Sequence, residues 1–401
     1  MKFENITQVH VYFAGGDSKL LIGRLALENR KIFFEYDYEF IKTGLELSPL
    51  KLPLKSGVVI ANDSIFDGLF GVFNDSLPDG WGRLLLDRKL LNLGLNSAKL
   101  SPLDRLCMVG SCGMGALQYE PEQTKKNRLF HVDLDEIANE IKQFEENDND
   151  IYVDELLRLN GSSAGARPKI MLRVENEDWI IKFRSSLDPK DIGNIEYAYH
   201  LMAVDAKLDV PKAKLFSSKK NKGYFGVKRF DRIKTRPIHM HTVSGLLHAD
   251  HRLPSLDYEM IIKTTLFLTH DIRECKKQFR IAVFNILSHN RDDHAKNFSF
   301  LMDSKGNWSV SPAYDLTFSS GPNGEHCTMI MGEGKNPTIK HLLQLADVAD
   351  IKKNQAIEII DEVRSAVSKW ALFADEANVT SASRKMIQSH IDQSIKYSKK
   401  L

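Results

Sequence analysis

Asp292 and Asn297 stand in the spacing D-x-x-x-x-N within HNRDDHAKNFSF, and Asp315 follows in SPAYDLT. Between them lie two strand-like runs, FSFLM and WSVSP, joined by the turn DSKGN. In an antiparallel hairpin the residues just before the first strand and just after the second lie side by side, so these three side chains are expected at one mouth. Two carboxylates and an amide suit Mg²⁺, which takes oxygen ligands, uses few protein carboxylates and fills its shell with substrate phosphates. The chemistry implied is phosphoryl transfer, with Asp292 receiving the acceptor's hydroxyl proton and Asn297 and Asp315 holding metal. Asp and Asn are also ordinary loop-capping residues, and it is Asp315, one hairpin later, that favours the metal.

A phosphate substrate needs cations opposite that mouth. The segment NGSSAGARPK precedes two β-like runs, IMLRV and WIIKF. Gly161 and Gly165 let backbone N–H groups approach phosphate oxygens as an anion nest, although the motif is neither GxGxxG nor a P-loop and also fits a plain hairpin entry. Lys182 in WIIKF points opposite Ile181 and Phe183 by strand alternation, so its ammonium faces a cleft or, on the blander reading, solubilises an edge strand. The spacing of Asp292 and Asn297, with a strand lysine upstream, matches the catalytic loop of protein kinases. Glu196, opening the helical NIEYAYHLMAVDAKL, then orients the lysine, unless it only serves the helix dipole. Lys228 to Phe230, in YFGVKRFDR, are placed at adenine on position alone. Lys296 is expected to neutralise transferred phosphate and His294 to shape the loop by bonding backbone.

The elements that must position these groups read as α+β: a bilobal, kinase-like fold with a β-rich N-terminal lobe and a mainly helical C-terminal lobe. Boundaries are expected near 125 and 245, giving an N-terminal subdomain (1–125), a nucleotide-binding lobe (126–245) and a helical catalytic lobe (246–401). Lys plus Arg (55) against Asp plus Glu (53) leaves a net charge of +2, so no global field draws nucleic acid or lipid. His239 and His241 lack a third ligand for zinc, and Cys107 and Cys112 read as packing residues. The start, MKFENITQVHVYF, has no apolar stretch of signal-peptide type, and no later run is long enough for a membrane span, so a cytoplasmic chain with reduced thiols is expected.

SSAGARPK, WIIKF, NIEYAYHLMA, VPKAKLF, VKRFDR, DDHAKNFSF and SPAYDLT, in this order, resemble the HipA family of Ser/Thr kinase toxins, whose fold is related to phosphoinositide kinases. FNDSLPDGWGR and VGSCGMGAL resemble its N-terminal subdomain. The resemblance implies ATP and Mg²⁺ as cofactors, Asp292 as catalytic aspartate, and Asn297 and Asp315 as metal ligands. It implies Lys169 and Lys182 at the ATP phosphates beside the loop residues Ser163, Ala164 and Gly165, Lys228 to Phe230 at adenine, and autophosphorylation at Ser162 or its neighbour Ser163. It further implies a protein substrate such as an aminoacyl-tRNA synthetase, a HipB-like helix-turn-helix antitoxin, and contact with DNA only through that antitoxin. Two departures stand out. Arg167 and Pro168 replace a Gln-Glu pair common in the family, and Asp293 replaces a glycine, adding charge where metal and nucleotide meet. A small-molecule phosphotransferase and a catalytically silent co-repressor fit the same motifs.

Overall fold

The computed structural model describes residues 6–61, 65–92, 94, 100–123, 133–147, 152–160, 165–253 and 255–398. The N-terminal segment builds a five-stranded antiparallel sheet from β1 (Gln8–Phe13), β2 (Leu20–Glu28), β3 (Lys31–Tyr36), β4 (Val58–Ile60) and β5 (Leu117–Glu120), in the order β4-β3-β2-β1-β5. Alternation decides its faces: Val9, Val11 and Phe13 of β1 are buried while their neighbours are not. The covered face packs on Phe70, Phe73 and Leu103.

A second sheet follows: β6 (Lys169–Val174), β7 (Glu177–Lys182), β8 (Ala213–Phe216) and β9 (Tyr224–Lys228), in the order β6-β7-β9-β8. β6 and β7 form a hairpin whose register sets Lys169 directly opposite Lys182. Trp179, Ile181 and Phe183 turn to the other face, where they meet Ile141 and Phe144 of the helix Leu134–Asn147. Trp81 and Leu85, from the helix Gly80–Asn92, join this core, so the first segment does not close on itself before residue 125. Fully burying one such tryptophan, roughly 200 Å², contributes about 5 kcal/mol before entropy is subtracted.

Short pairs β10 (Arg232–Ile233) and β11 (Arg236–Pro237) lead to β12 (His239–Thr242), while β13 (Leu256–Asp257) meets the later β16 (Thr328–Met329) in parallel. β12 pairs with β14 (Ser299–Met302), which forms the expected hairpin with β15 (Trp308–Val310). The rest is helical. Tyr258–Thr269 and Ile272–Leu287 pack on Ile339–Val348, Lys353–Val367, Trp370–Glu376 and Ser381–Ser398 around Phe279, Phe284 and Trp370. The sequence suggests one helix through NQAIEIIDEVRSAVSKWALFADEA, but the chain breaks at Ser368–Lys369. The break rotates Trp370 inward, where its ring lies 5.3 Å from that of Tyr199 and its Nε1 donates to Arg384 O at 3.2 Å.

Ile272–Leu287 is the element that delivers the catalytic loop. Asp271 caps its start by accepting from Arg273 N, and the helix ends at Ser288, after which His289 takes a left-handed conformation and turns the chain into Arg291–Asn297. Among the described residues no helix is long and apolar enough to cross a membrane, and all four cysteines are free thiols.

Candidate active site

A cavity of about 750 Å³ separates the second sheet from the helical lobe. Gly165, Lys169, Lys182, Glu196, Lys228, Phe230, His294, Lys296, Asn297 and Asp315 all line it. Its apolar wall comes from Ile180 of β7, Phe225 and Val227 of β9, and Leu316. The spacing within a strand or loop thus becomes a cleft with a cationic roof and an acidic floor.

Lys182 links the two lobes. Its Nζ lies 2.8 Å from Glu196 Oε2 and forms a short ion pair with Asp315 Oδ1. Glu196 sits in the second turn of the helix Ile192–Asp205 with 3% of its side chain exposed, so it is an orienting partner, not a solvated helix-terminus acid. Burial opposes charge on Lys182, but Asp315 and Glu196 outweigh it and raise its pKa. The converse holds for Asp315, where burial is overcome by Lys182 and Lys169 and the carboxyl is held well below its usual range. Asp315 adopts a left-handed backbone (φ 54°), which Asp tolerates and which starts the turn at the floor. Lys169 is buried, and desolvation pulls its pKa down. Gly165 (φ 116°) has no room for a Cβ, which would strike the Lys169 ammonium.

Asn297 donates from Nδ2 to Asp292 O at 2.6 Å, which ties the two ends of the loop and leaves the amide oxygen as the atom able to act as a ligand. Asp292 lies beside the cavity, its carboxylate 58% exposed and 4.0 Å from His294 Nε2. Desolvation and the charge of Asp315, opposed by His294 and Arg167, push its pKa up. Ser162, Ser163, Ala164 and Gly161 lie outside the described residues.

Several expectations change. Asp293 does not face metal or nucleotide: its carboxylate turns under the loop, accepting from Tyr258 Oη (2.8 Å) and Thr328 N (3.2 Å) beside His326 Nδ1 (2.9 Å). Lys296 is already paired, 2.6 Å from Asp79 Oδ2. His294 does not brace the loop with its ring; Nδ1 has no partner, and the imidazole stands edge-to-face against His251 at 5.8 Å. The Lys228 N–H is used by Lys212 O at 2.8 Å and its ammonium by Glu177 at 2.8 Å, so the donors expected to meet adenine are already engaged, while Phe230 lines the cavity. Arg167 joins the cluster by bridging Glu196 Oε1 and Asp188 Oδ1, each at 3.1 Å.

Sequence reasoning missed Asp79. It accepts from Gly165 N through Oδ1 and from Lys296 through Oδ2, so the first segment clamps the glycine loop to the catalytic loop. Gly80 allows this approach, since a Cβ there would lie 2.6 Å from Gly165 O. The quoted LPDGWGR was the signal, but spacing did not say where it docks. His241 meets Ser48 Oγ (3.0 Å) and Asp75 Oδ2 (2.6 Å) in the pattern of a hydrolytic triad. Ser48 is sealed from solvent and Asp75 is also held by Thr242, so this is a structural tie between the first segment and β12. His239 likewise bonds Leu47 O at 2.8 Å, which accounts for it without zinc.

With this geometry in place, the class is a two-lobed α+β protein with a kinase-type cleft. The pattern of the HipA-like C-terminal domain matches residues 161–370 and that of the HipA N-terminal domain matches 16–120. The chain belongs to the HipA family. It superposes on the toxin HipA in a Shewanella oneidensis HipA, HipB and operator DNA complex with a TM-score of 0.71, 17% identity and 96% coverage of each chain. A Helicobacter pylori proinflammatory kinase, CtkA, matches over 58% of this chain and 89% of its own, at 15% identity and a TM-score of 0.43. A Haemophilus influenzae protein described as a putative kinase is 25% identical over 178 residues, 39% of this chain and 52% of that protein, so the match spans about half the relative's length.

Proposed function

We propose that this chain is a toxin-type kinase that transfers the γ-phosphate of ATP to a serine or threonine of another protein. The observation that carries this reading is Lys182, held by Glu196 from one lobe and Asp315 from the other across a cleft that also presents Asn297. A structural ion pair would need neither the glycine-approach loop nor the apolar slot above it.

The donor set fits Mg²⁺ carried by a nucleotide. Among the described residues no group of three His, Cys, Asp or Glu side chains could hold a metal. A carboxylate (Asp315) and an amide oxygen (Asn297) that depend on phosphate oxygens to complete a shell are what such an ion uses. When bound, the ion would neutralise charge developing on the transferred group. Lys182 and Lys169 grip phosphate oxygens, Glu196 keeps Lys182 aimed as Asp315 is released to its new role, and Asp292 accepts the acceptor's proton. Ile180, Val227 and Leu316 exclude water around the base.

The Shewanella complex supports a HipB-like antitoxin as partner and DNA contact through that partner; action in the cytoplasm and autophosphorylation at Ser162 or Ser163 rest on the sequence resemblance alone. The test is incubation with labelled ATP, Mg²⁺ and candidate acceptors. Transfer to Ser or Thr of protein that disappears in Asp292→Ala is expected; labelling only of small molecules, or none by a folded, nucleotide-binding chain, would replace this reading with the phosphotransferase or the silent co-repressor.

A further inference from the structure

On the far side of the Asp79–Lys296 bridge a second, small cavity of about 60 Å³ opens between the first segment and the turn after the helix Val243–Leu247. Arg83 of the helix Gly80–Asn92, Arg105 of the helix Pro102–Val109, and His251, Arg252 and Lys296 converge on it. Asp67, Asp79 and Asp250 also line it, and Asp79 answers Lys296 at 2.6 Å, but the arginines are poorly answered. Arg83 has a carboxylate of Asp87 only at 4.0 Å, and Arg105 one of Asp67 only at 3.9 Å, itself mostly exposed. Arg252 has no ion pair among the described residues. Two buried nitrogens, Arg105 Nε and His251 Nδ1, have no hydrogen-bond partner among the described residues.

An orphaned buried donor costs about 1–3 kcal/mol, and Arg105 Nε, a donor in every protonation state, stands on this cavity among three arginines and calls for an acceptor. The like charges strain one another: burial and then Arg83 lower the pKa of Arg105, while burial and then Lys296 push His251 down to about 4. Volume is compatible with this, because a space of about 60 Å³ accommodates a small group. The cavity also communicates with the site. It shares Asp79, Arg83, His251, Arg252 and Lys296 with the main cleft, and His251 contacts His294, which stands 4.0 Å from Asp292.

We propose that this pocket is an oxyanion subsite that binds a carboxylate or phosphoryl group carried by the protein acceptor, a few residues from the hydroxyl presented to Asp292. The assignment rests on the kinase reading above and deepens it by naming an acidic acceptor sequence. An extended peptide spans about 3.3–3.6 Å per residue, so the preferred offset of the anionic side chain from the acceptor reports the distance from pocket to Asp292. Arginine suits the task, since its planar fork matches carboxylate and phosphate oxygens.

Two measurements test it. Inorganic phosphate is the probe for the pocket itself, read as a rise in melting temperature of the full chain. Wild type is expected to respond, Arg252→Gln and Arg83→Gln each to respond at least tenfold more weakly, and Lys182→Ala to respond as wild type. A response that survives both arginine substitutions, or vanishes with Lys182, assigns the phosphate to the nucleotide cleft and overturns the subsite. The second arm compares Ser peptides carrying Asp, Glu, phosphoserine or Ala at each offset, in wild type and Arg252→Gln. At least a fivefold lower KM for acidic peptides, lost in the variant, supports the acceptor role; equal KM values, despite phosphate binding at the arginines, overturn that role and leave a site for free phosphate. If no peptide is turned over at all, the kinase reading fails while the phosphate arm still reports on the pocket.

Discussion

Asp292 and Asp293 are neighbours of the same residue type with opposite surroundings. Asp292 faces the open side of the catalytic loop, its carboxylate 58% exposed beside His294, whereas Asp293 has none of its side chain exposed and is gripped from below by Tyr258, His326 and Thr328. The upper side is a set of ion pairs, in which Lys182 meets both Glu196 and Asp315 and which the proposed reaction would exchange for phosphate oxygens. The lower side is a buried hydrogen-bond network continuing from Tyr258 Oη to Asn285 (2.9 Å) and Asn290 (2.9 Å). The loop to which the proposed reaction assigns the proton acceptor is thus mounted on a buried, hydrogen-bonded base.

This contrast makes sharp demands on variants. Asp292→Asn should lower phosphoryl transfer by about 10²–10⁴-fold, the range for a positioned proton acceptor, with secondary structure and cooperative unfolding intact; near-normal turnover would erase the distinction between the two aspartates. Asp293→Ala should act on the fold instead. It strands a buried histidine, a hydroxyl and an N–H, at a cost of about 3–5 kcal/mol for a broken buried pair, visible as a lower urea midpoint. An Asp293→Ala chain of wild-type stability would mean that the underside is not anchoring the loop. Lys182→Ala should fall between these in kind, weakening ATP binding at least about tenfold, because hydrogen bonds to charged groups are worth about 1.5–3 kcal/mol. Isothermal titration with an ATP analogue measures it, and undiminished affinity would place phosphate elsewhere.

The upper side was the legible one. Lys182, Glu196, Asn297 and Asp315 sit on elements whose local pattern is strong, a strand, a helix and a hairpin, and strand alternation alone aims Lys182 away from Ile181 and Phe183. The lower side was not legible, because burial of Asp293 depends on β16 and on Tyr258, which stand 35 positions away in either direction. The same reason hid Asp79, whose partner Lys296 is 217 positions distant. Periodicity reports which face of an element is apolar, not which remote segment will cover it. Lys228 illustrates a subtler limit: it does line the cavity, but position could not show that its amide is claimed by Lys212 O.

The smallest predicted effect concerns the sign of pH dependence on the upper side. Asp292 is raised above the ordinary carboxylate value of about 4, and Asp315 is held below it. Between its unfolded and folded pKa the folded chain binds more proton at Asp292 than the unfolded chain, so stability from this group falls as pH rises through that window. Asp315 gives the reverse: its stabilisation is present above the ordinary carboxylate range and is lost only as pH falls toward its depressed value. At neutral pH Asp292→Asn should therefore melt slightly higher than wild type, by a small margin because solvent screens so exposed a charge. Asp315→Asn should melt lower, since Lys182 and Lys169 lose a partner. Below about pH 3 the Asp292→Asn gain should vanish while the wild type loses its own Asp315 contribution. Melting curves across pH decide it, and shifts of the same sign in both variants would show that the two carboxylates share one environment after all.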